Sequence, residues 1–203
     1  MRVSIIGVGY VGLVSGTMFA DFGNDVICMD IDEEKINKLQ NGTLPFYEQG
    51  LESKYTRNKE QDRLAFTTDT KAAVHHGDVI FICVGTPQGK DGEANLDYVM
   101  QAAEDIGTHM NEEKVVVIRS TVPVGTNERV QRRIRKVQAE TIDFDVANNP
   151  EFMREGAAIR DFQNPDRVIV GSRTDKAEQV LDELFKHVER VNRPIMHTTP
   201  ENA

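Results

Sequence analysis

Short, wholly apolar runs alternate along this chain with longer stretches whose apolar residues recur at helical spacing. The runs predict strands over residues 3–6, 26–30, 64–67, 79–84, 115–118, 144–147, 168–170 and 195–197. The longer stretches predict helices over 11–22, 33–40, 51–61, 70–76, 96–110, 123–137 and 177–186. Asn95 is placed to cap the fifth of these helices, and Pro123 to stand at the first position of the sixth. Residues 42–50 (GTLPFYEQG) carry Gly and Pro punctuation and predict an irregular loop. Strands that are apolar throughout and separated by helices belong in a parallel sheet covered on both faces. The pattern therefore predicts an α/β fold: a doubly wound, mostly parallel sheet with helices on both faces, filling residues 1–203 with the last strands as an extension.

Composition narrows the function classes. A chain of 203 residues fits one large domain, which buries roughly 70% of its unfolded surface. The formal net charge of -9 argues against nucleic acid and against anionic membranes as partners. One basic run, from Arg129 to Lys136, is interleaved with Val130, Ile134 and Val137 at helical spacing and predicts a solvated face over a buried stripe. The two cysteines, Cys28 and Cys83, lie in apolar runs without ligand spacing, so neither a disulfide framework nor a metal site is expected. His75 and His76, ahead of Gly77, are expected to meet a helix C-terminus rather than a metal. The start, MRVSIIGVG, lacks a secretory pattern, and no apolar run approaches about 18 residues, so the expected location is cytoplasmic.

The first strand runs directly into Gly7-Val8-Gly9-Tyr10-Val11-Gly12, a GxGxxG match that opens the first helix. In that context Gly7 makes a tight turn, Gly9 lets a pyrophosphate approach the backbone, and Gly12 lets the helix pack close to the strand. Free N–H groups and the helix dipole would hold the anion. Asp30 ends the second strand, where a carboxylate accepts hydrogen bonds from both adenosine ribose hydroxyls and repels a 2′-phosphate. This predicts a Rossmann domain that takes NAD in preference to NADP. Lys35, one turn into the next helix, either reaches the same ribose or is a solvated lysine; position alone does not choose.

Two further loops leave strand carboxyl ends: Gly85-Thr86-Pro87 and Ser120-Thr121-Val122-Pro123. Each offers a hydroxyl beside a proline, and their shared placement points to a cleft running from Gly9 past Thr86 to Thr121. In Asn149-Pro150-Glu151-Phe152-Met153-Arg154-Glu155-Gly156, Asn149 can cap and Pro150 can start a helix. Glu151 and Glu155 would then share one helical face. They would serve either as dipole partners or as carboxylates that activate water or orient substrate.

These segments resemble the UDP-glucose/GDP-mannose dehydrogenase family. The resemblance runs over the whole chain through GVGYVG, MDIDEEKINKLQNG, PFYEQGL, CVGTP, STVPVGT, NPEFMREG and NPDRVIVG, and the last is most like the UDP-glucose 6-dehydrogenase branch. The resemblance implies oxidation of a sugar C6 alcohol to a carboxylate, UDP-glucose to UDP-glucuronate, in two hydride transfers to NAD. A cysteine captures the aldehyde level as a thioester, which is then hydrolysed. It implies Val11, Asp30, Lys35, Thr86, Thr121 and Glu155 as cofactor contacts, beside the Gly7, Gly9, Tyr10 and Gly12 of the loop. It implies Glu151 for the hydrolytic proton transfers and Thr121 for orienting water, and it lines the sugar-nucleotide site with Glu151, Phe152, Met153, Arg154 and Glu155. Family members run much longer, with a central helix and a later domain that supply a lysine, an asparagine and the nucleophilic cysteine, and they pair as homodimers chiefly through that helix. The chain is thus expected to be a truncated piece that binds NAD without completing the reaction. The alternatives are a GDP-mannose or UDP-N-acetyl-sugar dehydrogenase, and a non-enzymatic NAD-binding module.

Overall fold

The computed structural model describes residues 1–89 and 92–203. Among them, the strands are β1 (Arg2–Ile6), β2 (Asp25–Met29), β3 (Leu64–Thr67), β4 (Val79–Ile82), β5 (Lys114–Ile118), β6 (Phe144–Asn148), β7 (Val168–Gly171) and β8 (Ile195–Thr198). They form one sheet in the order β3-β2-β1-β4-β5-β6-β7-β8. The first six are parallel. β7 then runs antiparallel to β6, meeting it at Asn148 and Gly171, and β8 lies parallel to β7. Strand order reverses between β1 and β4, which opens a crevice at the carboxyl edge of the sheet. The doubly wound sheet expected from the pattern is the one formed.

The helices are α1 (Tyr10–Asp21), α2 (Glu33–Gln40), α3 (Leu51–Glu60), α4 (Thr70–His76), α5 (Asp97–His109), α6 (Thr126–Val137), α7 (Ala158–Gln163) and α8 (Asp175–Phe185), the last continuing into a 3-10 turn at Lys186–Val191. Period-two alternation sends strand residues to opposite faces and so builds two cores. Val3, Ile5, Val79, Phe81, Val115 and Val117 face α1, α2, α3, α7 and α8. Ile6, Ile80, Ile82, Val116 and Ile118 face α4, α5 and α6. Helix α1 is buried from Gly12 to Ala20, and a methyl group at Gly16 would strike Cys28 Sγ. That close approach lays the middle of α1 directly on β1 and β2. The basic run lies on α6 as expected, with Val130 and Ile134 buried beneath it.

Several expectations are corrected. Helix α6 begins at Thr126, so Pro123 belongs to the preceding loop. The Thr126 N–H donates to the Pro123 carbonyl at 3.2 Å across a turn in which Gly125 takes φ +86°. A helix cannot run through that left-handed residue. β4 ends at Ile82, which leaves Cys83 and Val84 in the loop. His75 and His76 stand in the last turn of α4, at its C-terminus as expected, and His76 also contacts the Asp25 carbonyl at 3.1 Å. Helix α5 begins at Asp97 with Leu96, not Asn95, at its N-cap and no side-chain cap; Asn95 Oδ1 accepts from Asp97 N–H at 2.7 Å in a turn one residue earlier. No helix among the described residues is long and apolar enough to cross a membrane.

Candidate functional site

β1 ends at Ile6 and α1 begins at Tyr10, so Gly7, Val8 and Gly9 make the entire turn. Gly7 holds φ +97°, and its N–H donates to the Met29 carbonyl at 2.8 Å. A methyl group there would lie 2.9 Å from the backbone of Cys83 and Val84. One at Gly12 would fall on the carbonyl oxygen of Gly7. Gly9 differs: nothing lies within 4 Å of where its Cβ would stand. The first-turn N–H groups of Tyr10, Val11 and Gly12 have no intrahelical acceptor and open onto that space. This is a cradle for an anion approaching the backbone, and it fits the pyrophosphate of a dinucleotide.

Asp30 stands just past β2 and beside this loop. Its carboxylate accepts from Val8 N–H at 2.8 Å, from Asp32 N–H at 3.1 Å and from Lys35 Nζ at 2.7 Å. Burial pushes the Asp30 carboxyl up, but Lys35 and the two N–H groups outweigh it and hold the carboxyl below its ordinary value. Lys35 is therefore not a free solvated lysine. Three of about four acceptor positions on the carboxylate are filled, which leaves room on Oδ1 for one further donor rather than two.

The loops after the neighbouring strands β4 and β5 are joined to each other on one side of the crevice. Thr86 Oγ1 donates to the Thr121 carbonyl at 2.9 Å, and Ser120 Oγ donates to the Val84 carbonyl at 2.6 Å. Thr121 is exposed and Thr86 half-buried, both on the carboxyl edge that carries the glycine loop. The two cysteines are inert by burial, which pushes the Cys28 thiol up, together with the repulsion of Cys83, and pushes the Cys83 thiol up to about 12.

After β6 the expected helix does not start at Pro150. Residues 150–154 are irregular, a turn follows, and α7 begins only at Ala158. Local acceptors compete for the backbone: Glu151 Oε2 takes Met153 N–H at 2.6 Å, Asp161 takes Arg154 N–H at 2.9 Å, and Gly156 turns at φ +85°. Glu151 and Glu155 therefore share no helical face. Glu151 through Arg154 line a cleft of about 460 Å³ with Arg119, Phe162 and Arg167, while Glu155 is exposed outside it. Arg154 is held by Asp161 at 2.7 and 3.0 Å, Arg167 lies over the Phe152 ring at 4.7 Å, and Met153 packs against the first core.

Two residues unmarked by the sequence pattern organise this edge. Arg119, 5% exposed, donates to Ser15 Oγ at 3.0 Å and to Asn149 Oδ1, and lies over Phe162 at 5.4 Å. It thereby ties α1 to the end of β6. Burial lowers its pKa, against the attraction of Cys83 and Glu151. Glu48, in the loop before α3, is 3% exposed and accepts from Tyr10 Oη and from Gly156 and Ala158 N–H at 2.6, 2.7 and 3.0 Å. The signal that could have found Arg119 is its place, a charged residue directly after the apolar run 115–118. Nothing local to the PFYEQGL loop predicts that its glutamate is buried.

Residues 1–189 match the model of the UDP-glucose/GDP-mannose dehydrogenase family, NAD binding domain. The chain belongs to this family. Its cofactor is accordingly NAD. UDP-glucose 6-dehydrogenase TuaD of Bacillus subtilis is 48% identical over 202 residues, covering 100% of this chain and 43% of the relative. The UDP-glucose 6-dehydrogenase of Rhizobium meliloti is 46% identical, covering 98% of this chain and 46% of the relative. A UDP-glucose dehydrogenase from Pyrobaculum islandicum superposes with a TM-score of 0.94 at 37% identity, and a ternary complex of GDP-mannose dehydrogenase from Pseudomonas aeruginosa with 0.94 at 36%. Each is covered to 47% by the whole of this chain. The chain spans less than half the length of these family members.

Proposed function

We propose that this chain is the cofactor half of a UDP-glucose 6-dehydrogenase, which oxidises UDP-glucose to UDP-glucuronate with two NAD. One observation carries the reading: the open cradle over Gly9, the Asp30–Lys35 pair and the joined Thr86 and Thr121 loops lie on one sheet edge, beside the cleft lined by Glu151. Gly7 to Gly12 hold the pyrophosphate by backbone N–H groups, Asp30 takes the adenosine ribose, and Lys35 steadies Asp30. Thr86, Thr121 and Glu155 contact the remainder of the cofactor. When bound, NAD supplies the hydride acceptor. Thr121 orients a water and Glu151 takes its proton in the hydrolytic step, while residues 151–154, which line the cleft, face the sugar nucleotide. With Cys28 and Cys83 buried, the nucleophilic cysteine comes from sequence outside these 203 residues. The family's homodimer and a cytoplasmic location belong to the same proposal.

Two assays test it. The 203-residue chain with UDP-glucose and excess NAD yields no sustained NADH absorbance; turnover would mean that the nucleophile lies here after all. The full product of the gene oxidises UDP-glucose in preference to GDP-mannose and UDP-N-acetylmannosamine. Preference for either rival moves the protein to a sister activity, and a gene that stops at Ala203 favours a non-enzymatic NAD-binding module.

A further inference from the structure

We propose that Glu48 is a positioning residue that couples the dinucleotide loop to residues 151–157, so that binding of NAD orders the segment facing the sugar nucleotide. The inference rests on the NAD-binding reading above. Glu48 is 3% exposed, and among the described residues no lysine, arginine or histidine pairs with it. Its charge is compensated by three donors from two distant parts of the chain: Tyr10 Oη, and the N–H groups of Gly156 and Ala158. A buried carboxylate held only by hydrogen bonds is costly to leave short of any one of them. The two parts are joined at a single atom, because Oε2 takes both the Tyr10 hydroxyl at 2.6 Å and Gly156 N–H at 2.7 Å.

Each end of this link lies at a place of functional consequence. Tyr10 is the first residue of α1, next to the N–H groups that open over Gly9, and its ring is fixed by Phe46 at 5.0 Å. Its hydroxyl also stands 3.3 Å from the Arg154 carbonyl. Gly156 follows Glu155 directly and, at φ +85°, makes the turn that sets the course of the segment before it. Restraining the first turn of α1 restrains Tyr10, and through Glu48 the donors at Gly156 and Ala158. Coupling of this kind is reciprocal: whatever orders residues 151–157 strengthens NAD binding by the same factor.

Hydrogen exchange followed by mass spectrometry on the 203-residue chain tests this, using peptides over residues 152–160 with and without saturating NAD, beside a calorimetric titration. In the unmodified chain NAD slows exchange at Gly156 and Ala158 by about fivefold or more, the lower end of coupling between sites. Tyr10→Phe keeps the ring on Phe46 and loses the hydroxyl. There the NAD-dependent protection disappears and the NAD Kd rises by the factor lost. Glu48→Gln, close in shape, behaves the same way. Three results overturn the coupling: equal NAD-dependent protection in variants and unmodified chain, variants that exchange faster by one factor with and without NAD, as a plain structural brace would, or an unmodified chain that binds NAD with no protection of these amides. Absence of NAD binding in the titration overturns the functional reading itself, and this inference with it.

Discussion

Replacing Asp30 with alanine separates what this carboxylate does for the dinucleotide from what it does for the loop. Three of its acceptor positions serve Val8 N–H, Asp32 N–H and Lys35, so one remains for a ribose hydroxyl. A hydrogen bond to a charged acceptor is worth about 1.5–3 kcal/mol, so Asp30→Ala weakens NAD binding roughly 10- to 100-fold. NADP responds in the opposite sense. A doubly charged 2′-phosphate about 5 Å from a carboxylate is repelled by roughly 2 kcal/mol in water. That repulsion disappears, and Lys35, released from its 2.7 Å contact, becomes a cation for the phosphate. The preference for NAD over NADP should therefore collapse by about 100-fold or more, counting both changes at about tenfold per 1.4 kcal/mol. Val8 N–H loses its buried partner at a cost of about 1–3 kcal/mol. At about 2–4 °C per kcal/mol for a chain of this size, the melting temperature falls by roughly 2–12 °C. Calorimetric titration of both cofactors into both proteins, with thermal melts alongside, reads all of this. NADP bound by the unmodified chain as tightly as NAD, or a preference untouched by the substitution, would refute the reasoning.

The glycine loop gives a paired prediction. Gly9→Ala, which meets nothing, should leave the melting temperature unchanged and weaken NAD binding, whereas Gly12→Ala, driven onto the Gly7 carbonyl, should lower both, costing about 1–3 kcal/mol of stability. Equal melting temperatures for the two would remove the packing role of Gly12. His187 lies stacked on Phe22 at 3.8 Å, and burial depresses its pKa below the ordinary 6.5, with Arg190 adding to the shift and the Phe162 and Leu184 carbonyls opposing it. Its folded pKa is the lower one, so the stability tied to the neutral ring is complete above pH 6.5 and is lost as pH falls through the folded value. His187→Phe should flatten the melting temperature over that window, and parallel curves would count against it. In the full-length enzyme, Glu151→Gln should slow turnover by ~10²–10⁴-fold and accumulate a covalent enzyme–sugar adduct visible by intact mass. Normal turnover would leave Glu151 as the acceptor for Met153 N–H and nothing more.

What the sequence determined by itself was whatever depends on local periodicity and local sterics. Apolar strands with intervening amphipathic helices dictated a doubly wound sheet, because only two covering layers can dry both faces of such strands. The spacing of Gly7, Gly9 and Gly12 dictated the turn, and the place of Asp30 just past β2 brought its carboxylate to the loop. Helix ends were less legible: a proline at 123 suggested a start that Gly125 postponed to Thr126. The stretch from Pro150 was misread for a different reason. Its capping signals are genuine, but Glu151, Asp161 and Glu48 claim the N–H groups that a helix would have used, and one of those acceptors, Glu48, comes from a distant part of the chain. Burial of a charge is likewise a tertiary decision. Arg119 and Glu48 read as polar positions in the sequence and became buried ties only when α1, β6 and the loop before α3 closed around them. A single position carries no record of which distant donors will reach it. The site's components could be read along the chain, and the bonds between its two halves existed only once the sheet had brought those loops to one edge.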